Sequence, residues 1–411
     1  MPQPHLQSSP AGATGGQRFE QLDSLRGLAA LTVVVHHYLL IFPAVWSLAN
    51  PYDGRPAGGG PLFLFTFTPL HLVWAGQEAV VFFFVLSGFV LALPWLKGSR
   101  PADYSGYLIR RIFRIYPPYL AAVLVALLVN HLCYPGGVAG FSDWFNRIGR
   151  LPVDWKMIRE HVVFIGFFDS NNLDPVVWSL VHEMRISLIF PLVMLGVRFC
   201  NWPTSLAVAF LLTAFNWWML HLKSLHTLQY QHDYFETVAY TALFILGAVL
   251  AKHRETLTRF FRALSRPVKY LLLGAGLLAY THGWWLTRSG LAGHGRWENI
   301  LRLDLVANWG VASGITIFIL AALSSKKAAG LLTRKVPLFL GRISYSLYLF
   351  HVLCLITFLN LLAGKIPVGI ILVIAFLTSF GVAALSHAFV EVPAINAGRF
   401  LTRRFSKHFL F

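Results

Sequence analysis

Apolar runs of about twenty residues, separated by short polar and basic clusters, recur along almost the whole chain. A run of this length spans the roughly 30 Å hydrocarbon core of a bilayer as a helix. The pattern predicts ten helices, at 23–43, 77–96, 115–133, 176–197, 204–221, 236–251, 268–286, 303–323, 338–361 and 367–390, the sixth being the shortest. Within 134–175 the apolar patch HVVFIGFF is too short to cross and reads as interfacial or re-entrant. The expected fold is all-α, a polytopic transmembrane helix bundle of about ten helices. No internal repeat of the kind that marks duplicated transporters is visible.

Composition agrees with this reading. Of 411 residues, 56% are hydrophobic and 12% charged, against about 25% charged in soluble domains. The net charge of +17 would suggest nucleic acid as a partner if the charges formed one patch. Instead they fall between apolar runs, which makes them a topology signal and argues against nucleic acid. With the N-terminus inside, twenty-three of the thirty-four basic residues fall on inner segments and ten on outer ones, Arg185 lying within a span. That asymmetry predicts both termini cytoplasmic and an even helix count.

Residues 1–18 are polar and rich in Gly, Pro and Ser, which predicts a disordered tail followed by an uncleaved signal anchor. The transmembrane domain is expected over 19–395. A basic-aromatic tail, 396–411, is expected to rest on the anionic inner leaflet, with no appended soluble domain. Cys133, Cys200 and Cys354 are scattered and show neither metal spacing nor a disulfide framework, so no metal is expected.

Ionisable residues inside apolar spans are costly and usually belong to sites. Arg26 and His37 lie eleven residues apart on the first span, about three turns, so they share a face about 16 Å apart. Asp23 lies three residues before the arginine, and His36 is turned about 100° away as a packing neighbour. Neutral imidazole suits general-base work on a hydroxyl.

In RRIFRIYPPY, Arg110, Arg111 and Arg114 open the third span. They read either as positive-inside anchoring or as a phosphate site, since guanidinium forks match such oxygens. Pro117 and Pro118 predict a distorted helix start whose freed carbonyls line a pocket or meet partners. In VVWSLVHEMRISLIFPL, His182, Glu183 and Arg185 share one depth, with Glu183 orienting an imidazole or forming a locking ion pair with Arg185. Trp178 fits an aromatic belt or a sugar-stacking platform. In GRISYSLYLFHVLCL, Ser344, Tyr345, Ser346, Tyr348 and His351 form a ladder of hydroxyls ending in a histidine, either a site or helix–helix glue. Ser87-Gly88 is a small pair allowing close helix approach, with Gln77 and Glu78 before it.

Taken in order, LDSLRGLAALTVVVHH, FFVLSGFVL, RRIFRIYPPY, WSLVHEMRISLIFPL, GRISYSLYLFH and the closing VEVP resemble the acyltransferase-3 family of polytopic membrane O-acyltransferases, from about Phe19 to Pro393. The resemblance implies transfer of an acyl group, often acetyl, from cytoplasmic acyl-coenzyme A to a hydroxyl of a carbohydrate or glycolipid. It maps the family's arginine–ten residues–histidine motif onto Arg26 and His37, its Arg-x-x-Arg onto Arg111 and Arg114, and its fourth-span carboxylate onto Glu183. VHEMRIS departs from the commoner form of that stretch. One subgroup carries a fused C-terminal hydrolase-like domain, which this chain is expected to lack.

The expected mechanism follows. Arg110, Arg111 and Arg114 hold the donor's phosphates, with Arg26 nearby. His37, oriented by Glu183, takes the acceptor's hydroxyl proton, and Ser344 and Tyr348 face the oxyanion. Acyl-coenzyme A is expected as co-substrate, with no permanently bound cofactor. A rival reading is a proton-coupled transporter using His37, Glu183 and Arg185 as a relay, and a third is a purely structural scaffold.

Overall fold

Each of the ten apolar runs becomes helix. A computed structural model describes residues 19–49, 60–97, 103–133, 137–222, 234–288 and 304–406, so the predicted N-terminal tail, 1–18, and the last five residues lie outside the described residues. In chain order the helices are α1 Glu20–Leu40, α2 Pro43–Ala49, α3 Pro61–Thr66, α4 Gly76–Lys97, α5 Tyr104–Cys133, α6 Asp143–Arg147, α7 Trp155–Val163, α8 Trp178–Phe199, α9 Trp202–Leu222, α10 Tyr234–Ala263, α11 Arg266–His282, α12 Asp304–Ser324, α13 Lys326–Leu332, α14 Lys335–Leu362, α15 Val368–Ser386 and α16 Val392–Ser406. A 3-10 turn spans Pro69–Trp74, and π-turns span Gly283–Arg288 and His387–Glu391. Among the described residues there is no strand.

The protein is an all-α, polytopic membrane bundle. Seven helical segments are long and apolar enough to cross: α4, α5, α8, α10, Ala307–Ser324 of α12, α14, and Val368–Arg403. An eighth is added if α1 and α2, bent by 117° at their break, count as one span. The predicted runs at 204–221 and 268–286 correspond to α9 and α11, of 21 and 17 residues, outside that set. The region 137–177 holds two short helices, α6 and α7, and no crossing segment.

Lipid tails are as apolar as leucine, so helices associate through close packing rather than hydrophobic transfer. Two crossings show this. A Cβ on Gly27 of α1 would meet the backbone of Leu340 and Gly341 in α14, and one on Gly341 would meet the backbone of Asp23. Likewise Gly88 of α4 and Gly247 of α10 each lie on the other helix's backbone, at Phe244 and Val85. Hydroxyls that have no water to bind turn inward on their own helices: Thr213, Thr241, Thr316, Thr357 and Ser379 each donate to the carbonyl four residues back.

α5 departs from the predicted start. It begins at Tyr104 and runs through Pro117 and Pro118 as a 30-residue helix. The two prolines cannot donate to the carbonyls one turn back, and beside that gap Tyr345 of α14 donates its hydroxyl to the Ile115 carbonyl at 2.8 Å. The double proline therefore sits inside the helix, with a side chain from a neighbour serving its backbone. α16, which includes most of the predicted C-terminal tail, packs along this half of α5, where Gly398 lies against Phe113 and the Cα of Arg110.

Candidate active site

α1 and α14 run in the same direction, so the contacts of Arg26 and His37 climb α14 together. At one end, Arg26 donates through Nε to Ser344 Oγ at 2.9 Å and through Nη2 to the Gly341 carbonyl at 3.1 Å. Asp23 pairs with it at 3.3 Å. The glycine-on-glycine crossing brings the two backbones close enough for these short bonds.

At the other end His37 Nδ1 lies 2.9 Å from His351 Nε2, and His351 Nδ1 lies 3.0 Å from the Leu347 carbonyl. A carbonyl only accepts, so His351 carries its hydrogen on Nδ1 and, in a neutral ring, leaves Nε2 as an acceptor. For neutral rings His37 must then donate from Nδ1. Its Nε2 is left as a lone pair with no hydrogen-bond partner among the described residues. His351 is fully buried whereas His37 is half-buried, so the first ring is a fixed support and the second keeps one accessible nitrogen. The indole of Trp144 stacks on His37, with ring centroids 5.3 Å apart and planes 14° from parallel. His36 points away, bonding the Trp74 carbonyl at 2.9 Å and stacking on that indole.

A second ion pair lies within electrostatic reach of Arg26. Arg111, 7% exposed, donates to Glu183 Oε1 at 2.8 Å and to Ser187 Oγ at 2.9–3.0 Å. Ser87 also donates to that carboxylate oxygen, at 3.3 Å. Glu183 is thus bound by α5 and α4, and the partner that orients His37 is His351. Arg114 differs from Arg111. It is half-buried, lies within electrostatic reach of Arg26, and has no carboxylate or hydrogen-bond partner among the described residues. Arg110 is exposed at the start of the helix.

The other residues of the fourth-span motif hold the N-terminal half of α8 in place. His182 is fully buried, 2.8 Å from Thr237 Oγ1 and 3.6 Å from Glu236. Arg185 donates to the Ile165 and Gly166 carbonyls and to Thr237, and lies over the Tyr234 ring. The alternative of a locking Glu183–Arg185 ion pair therefore does not hold, since Glu183 pairs with Arg111. Nor do His37, Glu183 and Arg185 form a relay, because His37 and Glu183 are held by different partners. Trp178 packs at ring distance from Phe84, His182 and Tyr240.

Two expected oxyanion donors are already engaged. Tyr348 donates to the Val176 carbonyl at 3.0 Å and meets Ser179 Oγ at 2.7 Å. Ser344 donates to the Gly341 carbonyl at 2.9 Å while accepting from Arg26.

Trp144 escaped the sequence reading, and Glu391, within the VEVP stretch, was not singled out as a site residue. Trp144 lies in a segment without periodicity, and nothing local marks it. Glu391, 4% exposed, lies one residue beyond the predicted end of the last span. It accepts from Ser346 at 3.1 Å and pairs with His387 at 3.0 Å, on a π-turn of the kind common at functional sites. An acid so close to an apolar run was the available signal. A separate apolar cavity of about 330 Å³ between α8, α9 and α10, lined by Leu192, Gly196, Val208, Leu212 and Ile245 among others, touches neither histidine nor arginine cluster.

Comparison with known proteins matches this arrangement to an acyltransferase domain family over residues 19–388. The chain is 24% identical to Nodulation protein 10 of Rhizobium leguminosarum bv. viciae over 82% of its own length and 88% of the relative's. It is 31% identical to Acyltransferase MdmB of Streptomyces mycarofaciens over 30% of each chain. A candidate O-acetyltransferase of Staphylococcus aureus (strain COL) is 23% identical over 92% of this chain, which spans 57% of that relative's length. No solved structure matches. With the family covering nearly the whole bundle and both its arginine and histidine ends, the chain belongs to the acyltransferase-3 family and is a polytopic membrane acyltransferase.

Proposed function

We propose that the protein transfers an acyl group, acetyl in the simplest case, from acyl-coenzyme A to a hydroxyl of a carbohydrate or glycolipid, with His37 as general base. The observation that carries this reading is the His37–His351–Leu347 chain, which leaves one imidazole nitrogen as an accessible lone pair.

The step balances as follows. His37 Nε2 takes the hydroxyl proton as the oxygen attacks the thioester carbonyl. The C–O bond forms, the C–S bond breaks, and the proton passes from the imidazolium to the departing thiolate. A positioned base contributes about 10²–10⁴-fold. Arg114 supports the donor side: a half-buried guanidinium that lacks a carboxylate and lies near another cation calls for an anion. Phosphates of the donor supply that anion, with Arg110 beside it. Arg111, committed to Glu183, shapes the helix surface that presents Arg114.

In this reading the Arg26 end and both termini face the cytoplasm of a bacterial inner membrane, which the excess of basic residues on those segments supports, and the His37 end faces the acceptor's side. The test is label transfer from radioactive acetyl-coenzyme A into membrane material. Vesicles come from cells expressing wild type or His37→Ala, and mass spectrometry of the glycans follows. Loss of an acetyl-sized increment with His37→Ala, at equal protein level, is the expected result. An unchanged increment rejects the base.

A further inference from the structure

The segment that carries Trp144 is pinned to the end of α1 by one residue. Ser142 donates its hydroxyl to the Leu40 carbonyl at 2.6 Å and its backbone N–H to the Ile41 carbonyl at 2.8 Å. The same hydroxyl accepts from Phe145 N at 3.3 Å, capping α6. The terminal carbonyls of α1 are thus satisfied by the chain that brings in the indole rather than by water. Behind it, Asn146 ties the turn together, accepting from Val138 N at 2.9 Å and donating to the Val138 and Phe141 carbonyls at 3.2 Å. These bonds hold α6 as a staple over the last turn of α1, and the indole lies flat against His37.

We propose that Trp144 is a positioning residue for acyl transfer, holding His37 by one face and stabilising the imidazolium that forms as the base accepts its proton. This rests on His37 acting as base. His351 fixes the ring's Nδ1 edge, Trp144 fixes its face, and together they leave Nε2 as the one direction of reaction. A cation within about 6 Å of an indole centroid is attracted by the ring's negative face, and the separation here is 5.3 Å. The attraction acts on the imidazolium and hardly on the neutral ring. It therefore appears with the charge that develops in the transition state and acts on turnover rather than on donor affinity.

The test uses membrane vesicles from cells that lack the resident copy and express each variant, reading label transferred from acetyl-coenzyme A into membrane material. Trp144→Leu should lower kcat about ten-fold, the scale of one desolvated cation–π contact, with KM for acetyl-coenzyme A within about two-fold of wild type. Trp144→Phe, which keeps an aromatic face, should recover much of that loss. Ser142→Ala, which frees the staple, should lower kcat in the same direction with KM unchanged. Wild-type kcat in Trp144→Leu overturns the proposal. So does an equal fall in Trp144→Phe and Trp144→Leu accompanied by less folded protein, because that marks simple packing. His37→Ala runs alongside: if it is inactive while Trp144→Leu is normal, only the role of the indole falls; if it is active, the base assignment itself falls.

Discussion

Gly27 and Gly341 touch backbone to backbone where α1 crosses α14, and one turn from that contact Arg26 reaches Ser344. The close crossing and the polar bond are one feature, because a larger separation would leave the guanidinium short of its hydroxyl. Gly341→Ala forces the helices apart and should destabilise the protein by about 1–3 kcal/mol, the usual cost of overpacking. Gly381 of α15 has nothing within 4 Å of an added Cβ, so Gly381→Ala should leave the melting temperature unchanged or raise it through helix propensity. Thermal unfolding of the two variants in one detergent checks the contrast, and equal losses would reject it.

Glu183 and Arg111 should behave as a coupled pair. Their side chains are 19% and 8% exposed, so removing one partner strands a mostly buried charge. Glu183→Ala should cost up to about 3–5 kcal/mol. Replacing both together, Arg111→Met with Glu183→Leu, should cost less than Glu183→Ala alone, since apolar side chains of similar size leave no orphan. A double-mutant cycle on thermal stability measures this, and strictly additive losses would show that the two groups do not depend on one another.

The helical period made the first span readable: Arg26 and His37 share the face that meets α14, and each of the ten apolar runs marks a helix, while α16 lay in what reads as a tail. What the period does not contain is which helices are neighbours. Glu183 and Arg185 look like partners at i,i+2, yet residues two apart point in different directions on a helix, and their true partners come from α5, α4 and the segment before α8. Trp144 was invisible for a different reason. It sits on a five-residue helix placed by the backbone bonds of Ser142, and such bonds leave no trace in a hydrophobic pattern.

Arg114 and Arg26 carry like charges within electrostatic reach, with no carboxylate on Arg114 among the described residues. Removing a cation from that site should not harm the fold, whereas removing a phosphate ligand should harm the donor's binding. Arg114→Gln should therefore keep or slightly raise the melting temperature. It should also raise KM for acetyl-coenzyme A about ten-fold or more, the worth of one charge-assisted hydrogen bond, with kcat little changed. Initial rates across a donor series, alongside thermal unfolding, check both halves. A KM within two-fold of wild type would remove Arg114 from donor recognition.

Asp174, in the segment that enters α8, is 1% exposed. Among the described residues its carboxylate accepts one hydrogen bond, a long one from Val176 N at 3.4 Å to Oδ1, and its Oδ2 has no partner. Burial pushes the carboxyl from its ordinary 3.8 up to about 8. A folded-state value above the unfolded one means that the folded protein holds a proton that the unfolded chain has released. The stabilisation is complete below pH 3.8, falls as pH rises between 3.8 and about 8, and is flat above that window. Asp174→Asn keeps the shape of the protonated acid but cannot ionise. Its melting temperature relative to wild type should therefore climb between pH 5 and pH 8, by an amount on the order of a few kcal/mol in stability, and level off above. Melting curves of the two proteins at pH 5, 6.5, 8 and 9 decide the matter. A constant difference across the series would mean that Asp174 is ionised in the folded protein throughout.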